Sequence, residues 1–483
     1  MKNNKINYNQ LGDTTLHVSE AGFGTYRISS ESEDHQLALV HAIKQGINLI
    51  DTSSNYGDGD AESVIGKVIN QLISAQKIKR EDVVIVSKGG YIQGDLYLKS
   101  QERKKKNQVI PELVEYSKGL EHCIHPDFIA EQISASLNRL DLEYIDVYLL
   151  HNPEYYLMSQ KLNDVPIETA RSEFYRRINN AFKYLESEVK YGRIKYYGVS
   201  SNTLPENNNS YNSVNIDQLV EIAKKIAVNN HFKVIQFPLN LLENNCDVLK
   251  PAKKHGLGVL VNRPFNAIIN QKICRLVDFI IEDAPSSLEI DDLIQDLIEL
   301  ESTIRSLKFE EMGINESKQF YLQKNISFGG QLQTYWNEFS GYEHWQDTLS
   351  TYFLTHIEYT VSLLTHETVL RDSDQELFTS YFGLFNNTVQ LISEYYKVIS
   401  STRSEQIKKI LNTHISDWKS IPTLSQKAIR GLRELDGVNC ILVGMRSEDY
   451  VNDILIEIQN KVLKQTNENW KKLTEVTHAI SEL

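Results

Sequence analysis

Only four cysteines occur in 483 residues, at positions 123, 246, 274 and 440, and none stands in a C-x-x-C spacing. That argues against a disulfide framework or a cysteine-rich metal site, and reads as reduced, mostly buried thiols of a cytoplasmic protein. A basic surplus is missing too. The chain has 51 Lys and Arg against 64 Asp and Glu, a formal net charge of −13, and so lacks the basic face expected of a nucleic-acid binder. No eighteen-residue apolar run occurs, and the first residues, MKNNKINYNQLGDTTL, hold no apolar core of signal-peptide length. Neither a membrane span nor a secretory leader is expected. There is no internal repeat beyond a rhythm of short apolar runs and longer helical patterns.

That rhythm is the main positive signal. Eight runs rich in β-branched residues fall at 20–26, 47–53, 82–90, 144–153, 194–202, 233–240, 257–265 and 439–447. The helical stretches between them argue for βα units and a parallel sheet. Eight such units predict a (β/α)8 TIM barrel, whose chemistry gathers at the C-terminal ends of the strands. Before the first strand, INYNQLGDTTLHVS reads as a hairpin turning at Gly12-Asp13. A long loop is expected between Gly89 and Asp127. It carries a basic run at Arg103–Lys106 that reads as solvated. It also carries His122-Cys123-Ile124-His125, which lacks a second ligand pair for a metal and reads as a solvent-facing loop.

The spacing breaks after the seventh run. From Ala267 to about Ser425, roughly 160 residues stand in the way to the eighth, where a helical crossover needs about 30. Helical periodicity persists throughout, so the expected organisation is a discontinuous barrel, 1–266 and 425–483, with a helical subdomain inserted at 267–424. The aromatics of the insert (TYWNEFSGYEHWQDTLSTYF) read as core packing ahead of a sugar-binding pocket. The insert is also a candidate oligomerisation element.

Four strand ends carry polar groups with one coherent chemistry. The second strand ends at Asp51, with Tyr56 in the loop beyond; the third ends at Lys88 and the fourth at His151. Tyrosine is a weak acid, with an unperturbed pKa near 10, and a nearby ammonium is expected to lower it. Asp51 would supply the counter-charge of a buried Lys88, and a neutral His151 could orient a carbonyl oxygen. Together they fit proton delivery to a carbonyl receiving hydride, with Tyr56 as general acid/base. Tyr26, just past the first strand, is the candidate substrate-pocket residue.

The segments GINLIDTSSNYGDGDAESVIG, VVIVSKGG, IDVYLLHNP, YGRIKYYGVSSN and GVNCILVGMRSEDYV resemble the aldo-keto reductases in order and spacing. The resemblance implies an oxidoreductase interconverting an aldehyde or ketone, or a sugar, with its alcohol. It places the family's catalytic residues on Asp51, Tyr56, Lys88 and His151. It implies a nicotinamide cofactor, NADP(H) ahead of NAD(H), with Ser201, Asn202 and Gln236 at the carboxamide, Arg446 toward the 2′-phosphate, and Arg263 and Gly444 among the other cofactor-binding residues. The family's stacking aromatic on strand seven is replaced by Asn262, leaving Arg263 or Phe265 as substitutes. The partner implied is a small-molecule substrate, with no metal, nucleic acid or membrane. The competing reading is a nucleotide-binding regulator or scaffold acting through the insert.

Overall fold

The computed structural model describes residues 6–269, 272–282, 284–307, 316–366, 371–462, 464 and 468–481. The chain divides into two compact units: Met1–Phe265 with Ser420–His478, and Asn266–Lys419 with Ala479–Leu483.

In the first unit eight parallel strands close into a barrel: Ala21–Gly24, Leu49–Asp51, Val84–Gly89, Ile145–His151, Ile194–Ser200, Phe232–Pro238, Gly258–Asn262 and Cys440–Gly444. Each pairs with its neighbours in chain order, and the eighth returns to the first through Ile441↔Ala21 to Gly444↔Gly24. The fold is the TIM barrel expected from the spacing, with a large helical region inserted between strands seven and eight. Alternate residues of a strand face the same side, which builds the interior in layers. Leu49, Val84, Val86, Val147, Leu149, Val234, Leu260, Cys440 and Leu442 form a buried apolar cluster. Continuing the same two-residue period toward the C-terminal ends brings up Asp51, Lys88, His151, Gln236 and Asn262. The polar layer is therefore the top course of a lumen that is apolar below.

The hairpin Tyr8–Gln10/His17–Ser19 closes the other end. Leu11, Leu16 and Val18 join the lumen cluster, and Asp13 N–H donates to Gly256 O at 2.7 Å. Gly12 has φ +53°, and a Cβ there would lie 2.2 Å from the Gly258 backbone nitrogen. Only glycine fits that approach.

Residues 89–127 differ from the loop expected. They hold a helix, Gly94–Lys105, and a three-stranded antiparallel sheet of Tyr91–Ile92, Val114–Ser117 and Leu120–His122. Strands of two to four residues are too short to print an alternation in the sequence, so the pattern was hidden. His122 and Cys123 are each 1% exposed, which corrects the solvent-facing reading of that segment. No metal-binding cluster occurs among the described residues. The basic run ends a helix, and Lys104 pairs with Glu115 and Glu121 at 2.7 and 2.5 Å.

The second unit begins with a hairpin, Asn266–Ile269/Lys272–Arg275, and continues as helices. Ser287–Arg305 starts at a capping box, Ser286 with Glu289, which satisfies N-terminal amides at both ends of the first turn. Its stripe Ile290, Ile294, Leu297 and Ile304 packs with Phe378, Tyr381, Phe385, Val389, Ile392 and Tyr396 of the helix Asp372–His414. Three- and four-residue steps keep those side chains on one face. Trp336, Trp345 and Phe353 complete this core, so most of the insert's aromatic richness is packing. Among the described residues no helix is long and apolar enough to cross a membrane.

Candidate active site

Asp51 is 4% exposed and Lys88 fully buried. The Lys88 ammonium donates to Asp51 Oδ2 at 2.7 Å and to the Thr52 carbonyl at 2.7 Å. Burial pushes the carboxyl up and the ammonium down, and each group's charge opposes the other's shift. The second oxygen of Asp51 accepts from Gln236 Nε2 at 2.7 Å. One carboxylate oxygen is therefore held from the adjacent strand and the other from across the lumen, which fixes where the ammonium points.

It points at Tyr56. Lys88 Nζ lies 3.5 Å from Tyr56 Oη and 5.1 Å from its ring centre. The loop reaches this geometry through a left-handed stretch, with Gly57 at φ +56°, Asp58 at +53° and Gly59 at +94°. The expected lowering of the phenol's pKa is not what results. Burial around the hydroxyl, then the charge of Asp51, hold Tyr56 well above 10, because the anion that offsets Lys88 also disfavours phenolate. Tyr56 rests as a neutral proton donor.

His151 stands 6.1 Å from Tyr56, ring centre to ring centre. Burial, then Lys88 and His122, hold it well below 6.5, so the imidazole is neutral. Its Nδ1 lies 3.0 Å from Ser53 Oγ. Tyr26 packs edge-on against Tyr56 at 5.2 Å and is 68% exposed, at the mouth. The four predicted catalytic side chains and Tyr26 thus come together on one rim.

The predicted cofactor residues divide. Ser201 is buried and Asn202 exposed at the end of strand five; the Asn202 amide donates to Glu154 Oε1 at 2.8 Å. Gln236 is committed to Asp51, and its oxygen accepts from Ser200 at 3.1 Å and Asn262 at 3.2 Å. Arg263, at φ +53°, pairs with Glu243 at 2.8 Å. A Cβ on Gly444 would meet nothing within 4 Å, so backbone is open to approach there. Arg446 is half-buried, next to the N-cap Ser447 of the helix Glu448–Ile458.

The Aldo/keto reductase family profile matches residues 20–268. The chain belongs to the aldo/keto reductase family. The NADH-specific methylglyoxal reductase of Escherichia coli K12 is 31% identical over 152 residues, covering 29% of this chain and 40% of that protein. The L-galactose dehydrogenase of Arabidopsis thaliana is 28% identical over 224 residues, covering 41% and 60%. The chain spans roughly half the length of these curated relatives. A solved aldo-keto reductase from Bacillus halodurans covers 98% of this chain, and 96% of its own, at 16% identity and a TM-score of 0.49.

The family uses a nicotinamide cofactor. Three buried acceptors along this rim lack a protein partner: Glu154 Oε2, Asn262 Oδ1 and Thr52 Oγ1. A carboxamide brings two N–H donors and one carbonyl, so the group fits the chemistry available. Glu154 escaped the sequence reading. It is 2% exposed, and burial pushes it up to about 7, yet it follows His151 by only three residues in HNPE. His122 was also missed as a neighbour of the site: its Nε2 lies 2.7 Å from the His151 carbonyl, and Tyr91 lies edge-on to both rings.

Proposed function

We propose that this aldo/keto reductase interconverts an aldehyde or ketone and its alcohol, with a nicotinamide dinucleotide as hydride donor or acceptor. One observation carries the reading: Tyr56 Oη sits 3.5 Å from a fully buried ammonium that Asp51 holds at 2.7 Å, beside a neutral imidazole. The cofactor supplies the hydride. Tyr56 gives its proton to the carbonyl oxygen, and Lys88 stabilises the phenolate that forms, at a moment when that charge did not exist before. His151 orients the oxygen by hydrogen bonding. Ser201, Asn202 and Glu154 would hold the carboxamide.

Sugars and small oxo compounds are the substrate class favoured, consistent with relatives named as a methylglyoxal reductase, an L-galactose dehydrogenase and a 6-dehydroglucose reductase. The preference for NADP(H) rests on Arg446, whose guanidinium suits a 2′-phosphate; Glu448 and Asp449 in the same first turn oppose it. The test is a panel of sugars, aldehydes and ketones followed by nicotinamide absorbance with both cofactors. Turnover of at least one carbonyl is expected, with NADPH bound more tightly than NADH. Nucleotide binding without turnover on any substrate would favour the scaffold reading, and tighter NADH would reverse the preference.

The shifted groups also dictate a pH dependence. His151 stays neutral because its pKa lies well below 6.5, and Tyr56 stays protonated because its own lies well above 10. In the reducing direction kcat is expected to be flat from about pH 6 to 9. Alcohol oxidation needs phenolate and is expected to rise with pH across that range. A bell-shaped reductive profile centred near neutrality would contradict these assignments.

A further inference from the structure

Tyr56 and Lys88 have to meet, yet they reach the site from separate pieces of chain. Lys88 belongs to strand three, whereas Tyr56 sits in the left-handed loop that ends at Gly59. Their 3.5 Å approach therefore depends on how that loop is fixed to that strand. Part of the fixing is backbone. Ser54 N–H donates to the Lys88 carbonyl at 3.1 Å, and Asp60 N–H donates to the carbonyls of Tyr56 and Gly57. The rest is a buried ion pair, Glu62 with Arg139, to which the reaction as described gives no part.

Glu62 is fully buried in the first turn of the helix Asp60–Ser74. Its Oε1 accepts from the Ser87 hydroxyl at 2.5 Å. Ser87 precedes Lys88, and neighbours on a strand face opposite sides, so this grip is on the outer face of strand three, behind the lysine. Its Oε2 takes Arg139 Nε at 2.8 Å and Nη2 at 2.6 Å. Arg139 lies in the last turn of the helix Pro126–Leu140. The two helices meet backbone to backbone, since a Cβ on Gly66 would stand 2.6 Å from the Leu140 carbonyl carbon, and that limits where the guanidinium can reach. It lies flush against Gly59: a Cβ there would stand 2.6 Å from Arg139 Cδ and 2.9 Å from Cζ.

Two features set this pair apart from a plain fold brace. Gly59 is the N-cap of the helix Asp60–Ser74, and the positive end of a helix dipole is a poor place for a cation. A buried ion pair is also a weak source of stability, because apolar side chains of similar volume often do as well. What apolar side chains could not do is tie strand three to the turn at Gly59 at fixed hydrogen-bond distances. We infer that Arg139 is a positioning residue: Ser87, Glu62 and Arg139 form a bridge from strand three to Gly59 that keeps the Tyr56 hydroxyl within reach of the Lys88 ammonium. This rests on the reductase reading above.

The experiment compares three variants of the full chain by thermal unfolding of the barrel, NADPH and NADH titration, steady-state kinetics and amide hydrogen exchange across residues 53–62. Arg139→Met removes the guanidinium and strands Glu62, so the melting temperature is expected to fall by roughly 10 °C. Its kcat is expected to fall about tenfold, with nucleotide Kd within about twofold. The double variant Glu62→Gln, Arg139→Met leaves no buried charge unpaired. It is expected to recover most of the melting temperature and none of the kcat, with amides at 56–60 exchanging about tenfold faster than in wild type. Arg139→Lys keeps a cation for Glu62, and with it the Glu62 charge that joins Asp51 in opposing the effect of burial on Lys88. A single ammonium cannot cover Gly59 as a planar fork does, so lower kcat and faster exchange are expected there too, smaller in size. A double variant that recovers kcat along with its melting temperature, or whose amides at 56–60 exchange as in wild type, would overturn the inference. If the double variant does not fold, Arg139→Lys decides, and wild-type kcat or wild-type exchange in it overturns the inference. A wild type that reduces no carbonyl defeats the reductase reading instead, and the exchange at 56–60 still decides whether Arg139 holds the loop.

Discussion

Tyr56→Phe is expected to lower kcat by about 10² to 10⁴-fold, the usual contribution of a positioned general acid, while nucleotide Kd changes less than about twofold. The substitution is narrow. Phenylalanine keeps the ring that meets Tyr26 at 5.2 Å, His151 at 6.1 Å and the Lys88 ammonium at 5.1 Å, and removes only the oxygen 3.5 Å from that ammonium. Packing and the Asp51–Lys88 pair are untouched, so the loss belongs to proton delivery. Steady-state kinetics on any substrate found in the panel, with nucleotide titration by fluorescence, makes the comparison. A loss below about fivefold would mean that another group supplies the proton.

Lys88→Met is expected to cost about 3–5 kcal/mol of stability as well as activity, because it leaves the Asp51 carboxylate buried without its ammonium. The methionine matches the stem of the lysine in the lumen but cannot donate to Asp51 or Thr52. Gln236 remains as a single neutral donor to Asp51, too little to hold a charge at 4% exposure. The double variant Asp51→Asn, Lys88→Met removes both charges and should recover most of the loss. Urea unfolding of the four proteins closes the cycle, with the barrel's own transition as the readout, since the chain has two units. Additive losses would show that the two side chains are not coupled, and would remove the electrostatic account of Tyr56 with them.

The barrel was legible because its strands obey a period that polar residues interrupt only at the top. Val84 and Val86 lead to Lys88, Val147 and Leu149 lead to His151, and the spacing of eight such runs gives the fold. What stayed hidden was of two kinds. Short elements leave no period: the strands within 91–122 and the hairpin at 266–275 are two to four residues long. Contacts across the lumen leave no local trace. Nothing near Gln236 in the sequence points to Asp51, 185 residues away, and nothing near Tyr56 shows that burial outweighs the ammonium beside it. The sign of the Tyr56 shift is a property of the assembled site. So is the burial of Glu154, 2% exposed in a stretch, HNPE, whose local sequence gives no sign of it.

The inserted unit sets a timetable. Strand seven meets strand eight through Leu260↔Cys440 and Val261↔Ile441, partners about 180 residues apart, and strand one waits for the same eighth strand. At synthesis rates of about 5–20 residues per second, the ribosome spends roughly 10 to 40 seconds between making the two halves of that seam. For that interval the nascent barrel has two unpaired edges, the kind of surface that recruits foreign strands, while the insert already carries an apolar core of its own. The rim that carries Tyr56 and Lys88 is complete in sequence by residue 262, yet the ring beneath it closes last.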